Sequence, residues 1–232
     1  MLERILERQG CAPLGMWPEN WEQLFEKFGA RYPHMEGLVR VTRESCALAS
    51  LMETRPVALG DLLLLVGPPG VGKTDAAMFL AEMVGVATRR IGCADVTNGF
   101  DMTGMSEGWA GAKPGHLAKM LILEDCANPL VVLDELDKVS LAGRASDSLE
   151  ARLYSVLEPI SAKSFRDEFL DVPLDIMAFN WIATANSIDS IPSPILDRFR
   201  VIQVRSPSRE ELRSLIPGIY RTIIENESWG EA

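Results

Sequence analysis

The chain has 232 residues, 47% of them hydrophobic, and 33 acidic against 23 basic side chains give it a formal net charge of −10. That length and apolar content suit one large domain, or a domain with an appendage, and exclude a fibrous or disordered chain. The acidic balance opposes a broad electrostatic footprint on nucleic acid or on an anionic membrane surface, so neither is expected as a partner.

Taken in order, residues 1 to 9 read as a short amphipathic helix whose start, MLERILERQG, is charged throughout. A loop around Pro13, Gly15 and Pro18 separates it from a second helix, in which Trp21, Leu24, Phe25 and Phe28 recur on one face. A third helix is expected from about His34 to Glu53, ending before Arg55-Pro56 because proline disfavours helix in the residue before it. Leu62 to Val66 is a buried strand, followed by a helix from about Lys73 to Val84 that stops at Gly85. A strand over Val86 to Ile91 leads into a long loop, residues 92 to 114, which holds one exposed-looking aromatic, Trp109. Loops of that length inside a compact domain are usually functional.

Beyond it come a helix from His116 to Cys126, the apolar strand Leu130 to Leu133, and a helix over 147 to 158. SFRDEFLDVPLD reads as a small hairpin or insertion. The remaining elements are a strand Phe179 to Thr184, a short helix Ser193 to Phe199, a strand Val201 to Val204 and a helix opened by Ser208. Continuous apolar strands between helices indicate a mainly parallel sheet covered on both faces, an α/β fold. The apolar runs are far shorter than a membrane span, and Cys11, Cys46, Cys93 and Cys126 lack the paired spacing of a disulfide frame or zinc site. A cytoplasmic protein with free thiols is expected.

The chemistry begins at GPPGVGKT, Gly67 to Thr74, a phosphate-binding loop between a buried strand and a helix. Gly67, Gly70 and Gly72 let the ATP-binding loop that they form with Pro68, Pro69 and Val71 turn tightly and aim its available N–H groups at phosphate oxygens. Lys73 adds a point charge, Thr74 offers a hydroxyl to Mg²⁺, and the following helix presents its positive end to the same anion. The cofactors expected are ATP and Mg²⁺. LVVLDE places Asp134 and Glu135 at the carboxyl end of a strand, where Asp134 suits Mg²⁺ and Glu135 suits a base that polarises an attacking water. Asn186 ends the strand WIATAN, where its amide can orient that water, and Arg198 in PILDRFR precedes the last strand.

With these four segments in this order, the chain resembles the AAA+ ATPases, and within them the ATPase module of Lon proteases. The resemblance covers about Leu62 to Val204 and rests on LVGPPGVGKT, GWAGAKPG, DELDK, SFRDEFLDVPLD and ATANSIDSIPSPILDRFRVI. It implies a P-loop three-layer sandwich, with Asp134 and Glu135 as the Walker B pair, Asn186 as sensor 1 and Arg198 as the arginine finger. Arg200 is the weaker candidate for that finger. It also implies that Trp109 is the pore-loop aromatic that grips a translocating polypeptide, in a homo-oligomeric ring, a hexamer, acting on protein or peptide substrates.

The organisation expected is an N-terminal helical extension over 1–55, the ATPase core over 56–206, and a C-terminal helix over 207–232. That last span, read as the start of a lid that is otherwise missing, is too short for the whole helical lid or for a protease domain, so ATP hydrolysis without peptide cleavage is expected of this chain. The alternative reading is an ATP-dependent assembly switch or adaptor with slow hydrolysis. The missing lid residues favour that reading, whereas Glu135 and Arg198 oppose it; Glu135, Asn186 and Arg198 together oppose a small-molecule kinase.

Overall fold

The structure, a computed structural model, describes residues 2–94, 99–106, 108–124, 126–139 and 148–227. Parts of five expected segments fall outside the described residues. These are residue 1, positions 95–98 and 107 of the long loop, position 125 of the helix expected to reach Cys126, residue 147 of the helix expected over 147 to 158, and positions 228–232 of the C-terminal helix expected over 207–232.

The elements run α1 (Leu2–Glu7), α2 (Trp21–Arg31), α3 (Glu36–Ala49), β1 (Leu62–Val66), α4 (Lys73–Val84), β2 (Thr88–Gly92), α5 (Phe100–Thr103), α6 (His116–Leu123), β3 (Leu130–Asp134) and a 3₁₀ turn (Leu136–Lys138). They continue with α7 (Leu149–Val156), α8 (Pro159–Lys163), β4 (Phe165–Arg166), β5 (Pro173–Leu174), β6 (Asn180–Ala185), α9 (Ser193–Leu196), β7 (Phe199–Gln203) and α10 (Arg209–Glu227). Among the described residues the main sheet has five strands in the order β2-β3-β6-β1-β7, all parallel. The expected parallel α/β architecture is therefore present. SFRDEFLDVPLD forms the small hairpin β4–β5, with Phe165 opposite Leu174 and Arg166 opposite Pro173.

Apolar runs become central strands here because successive side chains leave the sheet on opposite faces and both faces are covered. Leu63 and Leu65 join one core with Phe25, Phe28 and Leu38 of the N-terminal helices and Leu80 of α4. Leu64 and Val66 join the other, with Leu117, Met120, Leu153 and Ile195. Two buried amides anchor the N-terminal segment to the sheet. Asn128 accepts the Gly15 N–H at 2.6 Å and donates to the Gly15 and Val57 carbonyls, while Asn180 accepts the Leu59 N–H at 2.8 Å.

Several boundaries move from those expected. The second strand starts at Thr88 rather than Val86, because the Val86 N–H closes the end of α4 on the Ala81 carbonyl at 3.3 Å. Phe199 opens β7 instead of ending a helix, since α9 stops at Leu196 and the Asp197 and Arg198 N–H groups turn back onto Ser193 and Ile195. The third helix is shorter, with Met35 at its N-cap.

Strand order sets the site. β6 lies between β1 and β3, so the carboxyl ends of three strands bring together the loop after β1, the acids after β3 and the residues ending β6. This is where ligands bind in open α/β sheets.

Candidate nucleotide site

The loop Gly67 to Gly72 is shaped by close approach and by handedness. A side chain on Gly67 would stand 2.1 Å from the Val204 carbonyl oxygen. Gly72, the N-cap of α4, has φ +85, a left-handed conformation that any Cβ strains. Around them the Pro68 carbonyl accepts from Lys73, the Val71 carbonyl accepts from His34 Nε2 at 2.8 Å, and Pro69 and Gly70 line the cleft.

Lys73 is only 7% exposed. Its Nζ donates to the Gly67 and Pro68 carbonyls, both at 2.8 Å, and to Asn186 Oδ1 at 3.0 Å. Burial pushes its ammonium below the ordinary lysine value, and Asp137, Asp134 and Glu135 pull it partly back.

Asp134, 4% exposed, ends β3. Thr74 and Thr184 both donate to its Oδ1 at 2.6 Å, and Arg90 Nε donates to its Oδ2 at 2.8 Å. Burial alone would raise the carboxyl; the bonds from Thr184, Thr74 and Arg90, with the Arg90 charge, hold it below the ordinary carboxylate range. Glu135 follows with φ 55 and ψ 51, a left-handed conformation unusual for a non-glycine residue. The turn is held by its N–H on Thr184 Oγ1 at 3.1 Å and by the Lys138 N–H on its carbonyl at 2.8 Å. It re-aims the Glu135 side chain from the sheet axis into the cleft, where Asp137 also lies.

Lys73, Thr74, Asp134, Glu135, Thr184 and Asn186 line one cleft of about 360 Å³, within the range of small-ligand pockets. Its donor set fits Mg²⁺: a buried carboxylate and a hydroxyl on the cleft floor are hard oxygen ligands, with phosphate oxygens to supply the rest. Among the described residues no group of three or more His, Cys, Asp or Glu converges as a complete metal cage.

Arg198 and Arg200 are not among the residues lining this cleft. Arg198 donates to the Tyr154 carbonyl at 3.2 Å, with its guanidinium 5.8 Å from the Tyr154 ring centroid. Arg200 is held by Asp61 at 3.1 Å and lies 4.0 Å from Glu44. Trp109 is 72% exposed in a tight turn, its N–H on Ser106 and its carbonyl accepting from Ala112.

Sequence reasoning passed over Thr184, Arg90 and Asp137. A threonine on an otherwise apolar buried strand, two residues before Asn186, was the available signal for Thr184. Arg90 had none, because its pairing with Asp134 follows only from β2 lying beside β3.

The parallel sheet, the glycine loop feeding a helix and the acids at a neighbouring strand end define a P-loop nucleoside triphosphatase. More narrowly, residues 63–206 match the ATPase family associated with various cellular activities (AAA), and the chain belongs to that family. It is 38% identical to the Lon protease of Clostridium beijerinckii over 175 residues, covering 75% of this chain and 22% of that protein. It is 35% identical to the peroxisomal Lon protease homolog 2 of Arabidopsis thaliana over 188 residues, covering 79% and 21%, and 34% identical to Lon protease 2 of Sorangium cellulosum over 175 residues. The chain thus spans about a fifth of the length of the curated relatives it matches. It is a Lon-like AAA+ ATPase module, and ATP hydrolysis is its activity. No helix among the described residues is long and apolar enough to cross a membrane.

Proposed function

We propose that the module binds Mg-ATP in this cleft and hydrolyses it by attack of water, within a homo-oligomeric ring that threads or unfolds protein substrates. The observation that carries the reading is the convergence of Lys73, Thr74, Asp134, Glu135 and Asn186 from three strand ends on one cleft. Loop N–H groups and the start of α4 receive the phosphates, and Lys73 exchanges its carbonyl partners for phosphate oxygens. Thr74 and Asp134 would hold the cation, which would supply positive charge against the phosphates when bound. Glu135 takes the proton of the attacking water, and the Asn186 amide, already within reach of Lys73, orients that water.

Ring assembly and a protein substrate are supported by the likeness to Lon proteases, and Mg²⁺ as the cation by membership of the ATPase family. The division into 1–55, 56–206 and 207–232 is part of the same proposal, with the family match over 63–206 behind its core. The exposure of Trp109 supports a polypeptide contact, because an aromatic in the open can grip apolar and polar stretches alike. The placement of Arg198 on Tyr154, outside the lining of its own cleft, supports action on a neighbour. A reducing compartment such as the cytosol suits the four free cysteines.

Lys73→Ala should lose nucleotide affinity, because it removes the charge that faces the phosphates. Glu135→Gln should bind ATP normally while its turnover falls by about 100-fold or more. Nucleotide titration and steady-state hydrolysis separate the two, and unchanged turnover in Glu135→Gln would remove the assigned base.

A further inference from the structure

The loop that carries Trp109 is tied at its neck. Gly104 and Gly115 bracket it, and between them the Met105 N–H donates to the Lys113 carbonyl at 3.0 Å. Both feet converge on one carboxylate, Asp167, which is 0% exposed. Its Oδ2 accepts the Gly115 N–H at 2.8 Å, across 52 residues of sequence. Its Oδ1 accepts the N–H groups of Phe169 at 3.0 Å and Leu170 at 3.1 Å, within its own hairpin. The next residue holds the other foot: the Glu168 N–H donates to the Thr103 carbonyl at 2.9 Å.

The approach is close enough to dictate residue type. A Cβ on Gly104, which has φ +86, would stand 2.6 Å from Asp167 Oδ1, and one on Gly115 would stand 2.3 Å from the Met102 carbonyl oxygen. The Glu168 side chain pairs with Arg152 of α7, whose guanidinium lies 5.5 Å from the Phe100 ring centroid. Phe100 opens α5, so the brace returns to the element from which the loop departs.

A carboxylate removed from water is tolerated only when its oxygens are hydrogen-bonded. Within the β4–β5 hairpin the carboxylate serves Phe169 and Leu170, beside the Asp171 N–H on the Asp167 carbonyl at 2.9 Å. The bond to Gly115 does something else: it fixes an anion at the N-cap of α6, where the helix end favours negative charge, and holds the loop's exit against its entry.

We propose that Asp167 is the positioning residue of the Trp109 loop, setting the angle at which the loop leaves α5 and enters α6 and hence where Trp109 meets a polypeptide. This rests on the reading of Trp109 as the polypeptide contact. Asp167 touches no reacting group; it acts through the loop.

Asp167→Asn keeps the volume but only one acceptor; with its carbonyl oxygen kept by the two donors Phe169 and Leu170, the amide turns its NH₂ group, which cannot accept, towards Gly115. Three readouts follow: amide hydrogen exchange across 104–115, basal ATPase, and ATPase stimulated by a carboxymethylated, permanently unfolded polypeptide. The expected result is exchange about tenfold faster at Gly115 and Met105, basal turnover within about twofold, and about tenfold more polypeptide for half-maximal stimulation. Gly104→Ala, which drives a methyl group into the same carboxylate, should reproduce the pattern.

Loss of basal turnover in step with melting temperature, without an exchange change confined to the loop, would mean a merely structural aspartate and overturn the proposal. So would unaltered stimulation in Asp167→Asn when Trp109→Ala abolishes it. Full stimulation in Trp109→Ala would instead overturn the polypeptide reading itself. Should both Asp167→Asn and Gly104→Ala fail to fold, the unsubstituted protein decides: slow Gly115 exchange by NMR supports the clamp, and exchange as fast as that of Gly108 refutes it.

Discussion

Thr184 serves two neighbours with one hydroxyl: it donates to Asp134 Oδ1 and accepts the Glu135 N–H. Thr184→Val keeps the shape and removes both bonds, leaving a buried carboxylate short of a donor and a backbone N–H without its acceptor. The expected loss is about 2 kcal/mol of stability at neutral pH, by urea titration, and Glu135 loses one of the bonds that hold its left-handed turn. The sign of the pH dependence follows from Asp134. Its folded carboxyl lies below the ordinary range, so on acidification the unfolded chain takes up the proton first. The stability it contributes is present above the unfolded value and disappears as pH falls through the folded one. Thr184→Val weakens that depression, so the stability gap between the two proteins should be widest near neutrality and narrow below about pH 4. A gap that does not change with pH would mean that Thr184 does not act through the Asp134 carboxylate.

At the scale of elements, two helical glycines have opposite expectations. Gly29 in α2 has nothing within 4 Å of where a Cβ would stand, whereas at Gly37 in α3 a Cβ would be 2.8 Å from Ile202 Cγ2 of β7. Gly29→Ala should stabilise the protein by about 1 kcal/mol, by limiting the unfolded chain and favouring helix. Gly37→Ala gains the same propensity but must displace a branched side chain on a packed strand, and should be destabilising on balance. Paired thermal melts check the contrast, and equal shifts would show that α3 can move away from the sheet at no cost. The helix-spaced aromatics of α2 made its buried face legible: Phe25 and Phe28 are buried. Nothing in residues 35–38 marks Gly37 as a contact point, because that depends on which strand lies beneath it. Likewise the Ser208 to Glu211 capping box that opens α10 was readable as Ser-x-x-Glu, while the pairing of Glu211 with Arg205 depends on how the chain turns out of β7.

For the whole molecule, the central expectation concerns Arg198, which leans on Tyr154 outside the lining of its own cleft. In a ring built head to tail, one subunit's outer face meets the next one's nucleotide, and charge developing on the transferred phosphoryl group gains from a second cation. In an assembling form, Arg198→Ala should bind ATP with near-normal affinity and hydrolyse it about 1,000-fold more slowly. Mixed with Glu135→Gln, it should recover activity, since some interfaces then pair an intact Arg198 with an intact Glu135. Failure to recover at any ratio, with mixed rings confirmed by native mass spectrometry, would count against action in trans.

The sequence by itself determined the parts that are local in the chain: the phosphate loop with its glycines, the apolar strand ending in two acids, and the parallel class of the sheet. Each depends on residues within a few positions of one another, so spacing and side-chain type suffice to read them. Only the tertiary structure decided what depends on strand order. Because β6 runs between β1 and β3, Thr184 stands beside Asp134 and Asn186 beside Lys73, and because β2 borders β3, Arg90 faces the same carboxylate. The Asp167 clamp is of the same kind, joining Gly115 to a hairpin 52 residues away. Hydrogen bonds of such span leave no periodic trace in a sequence, since either partner alone reads as an ordinary turn or strand residue.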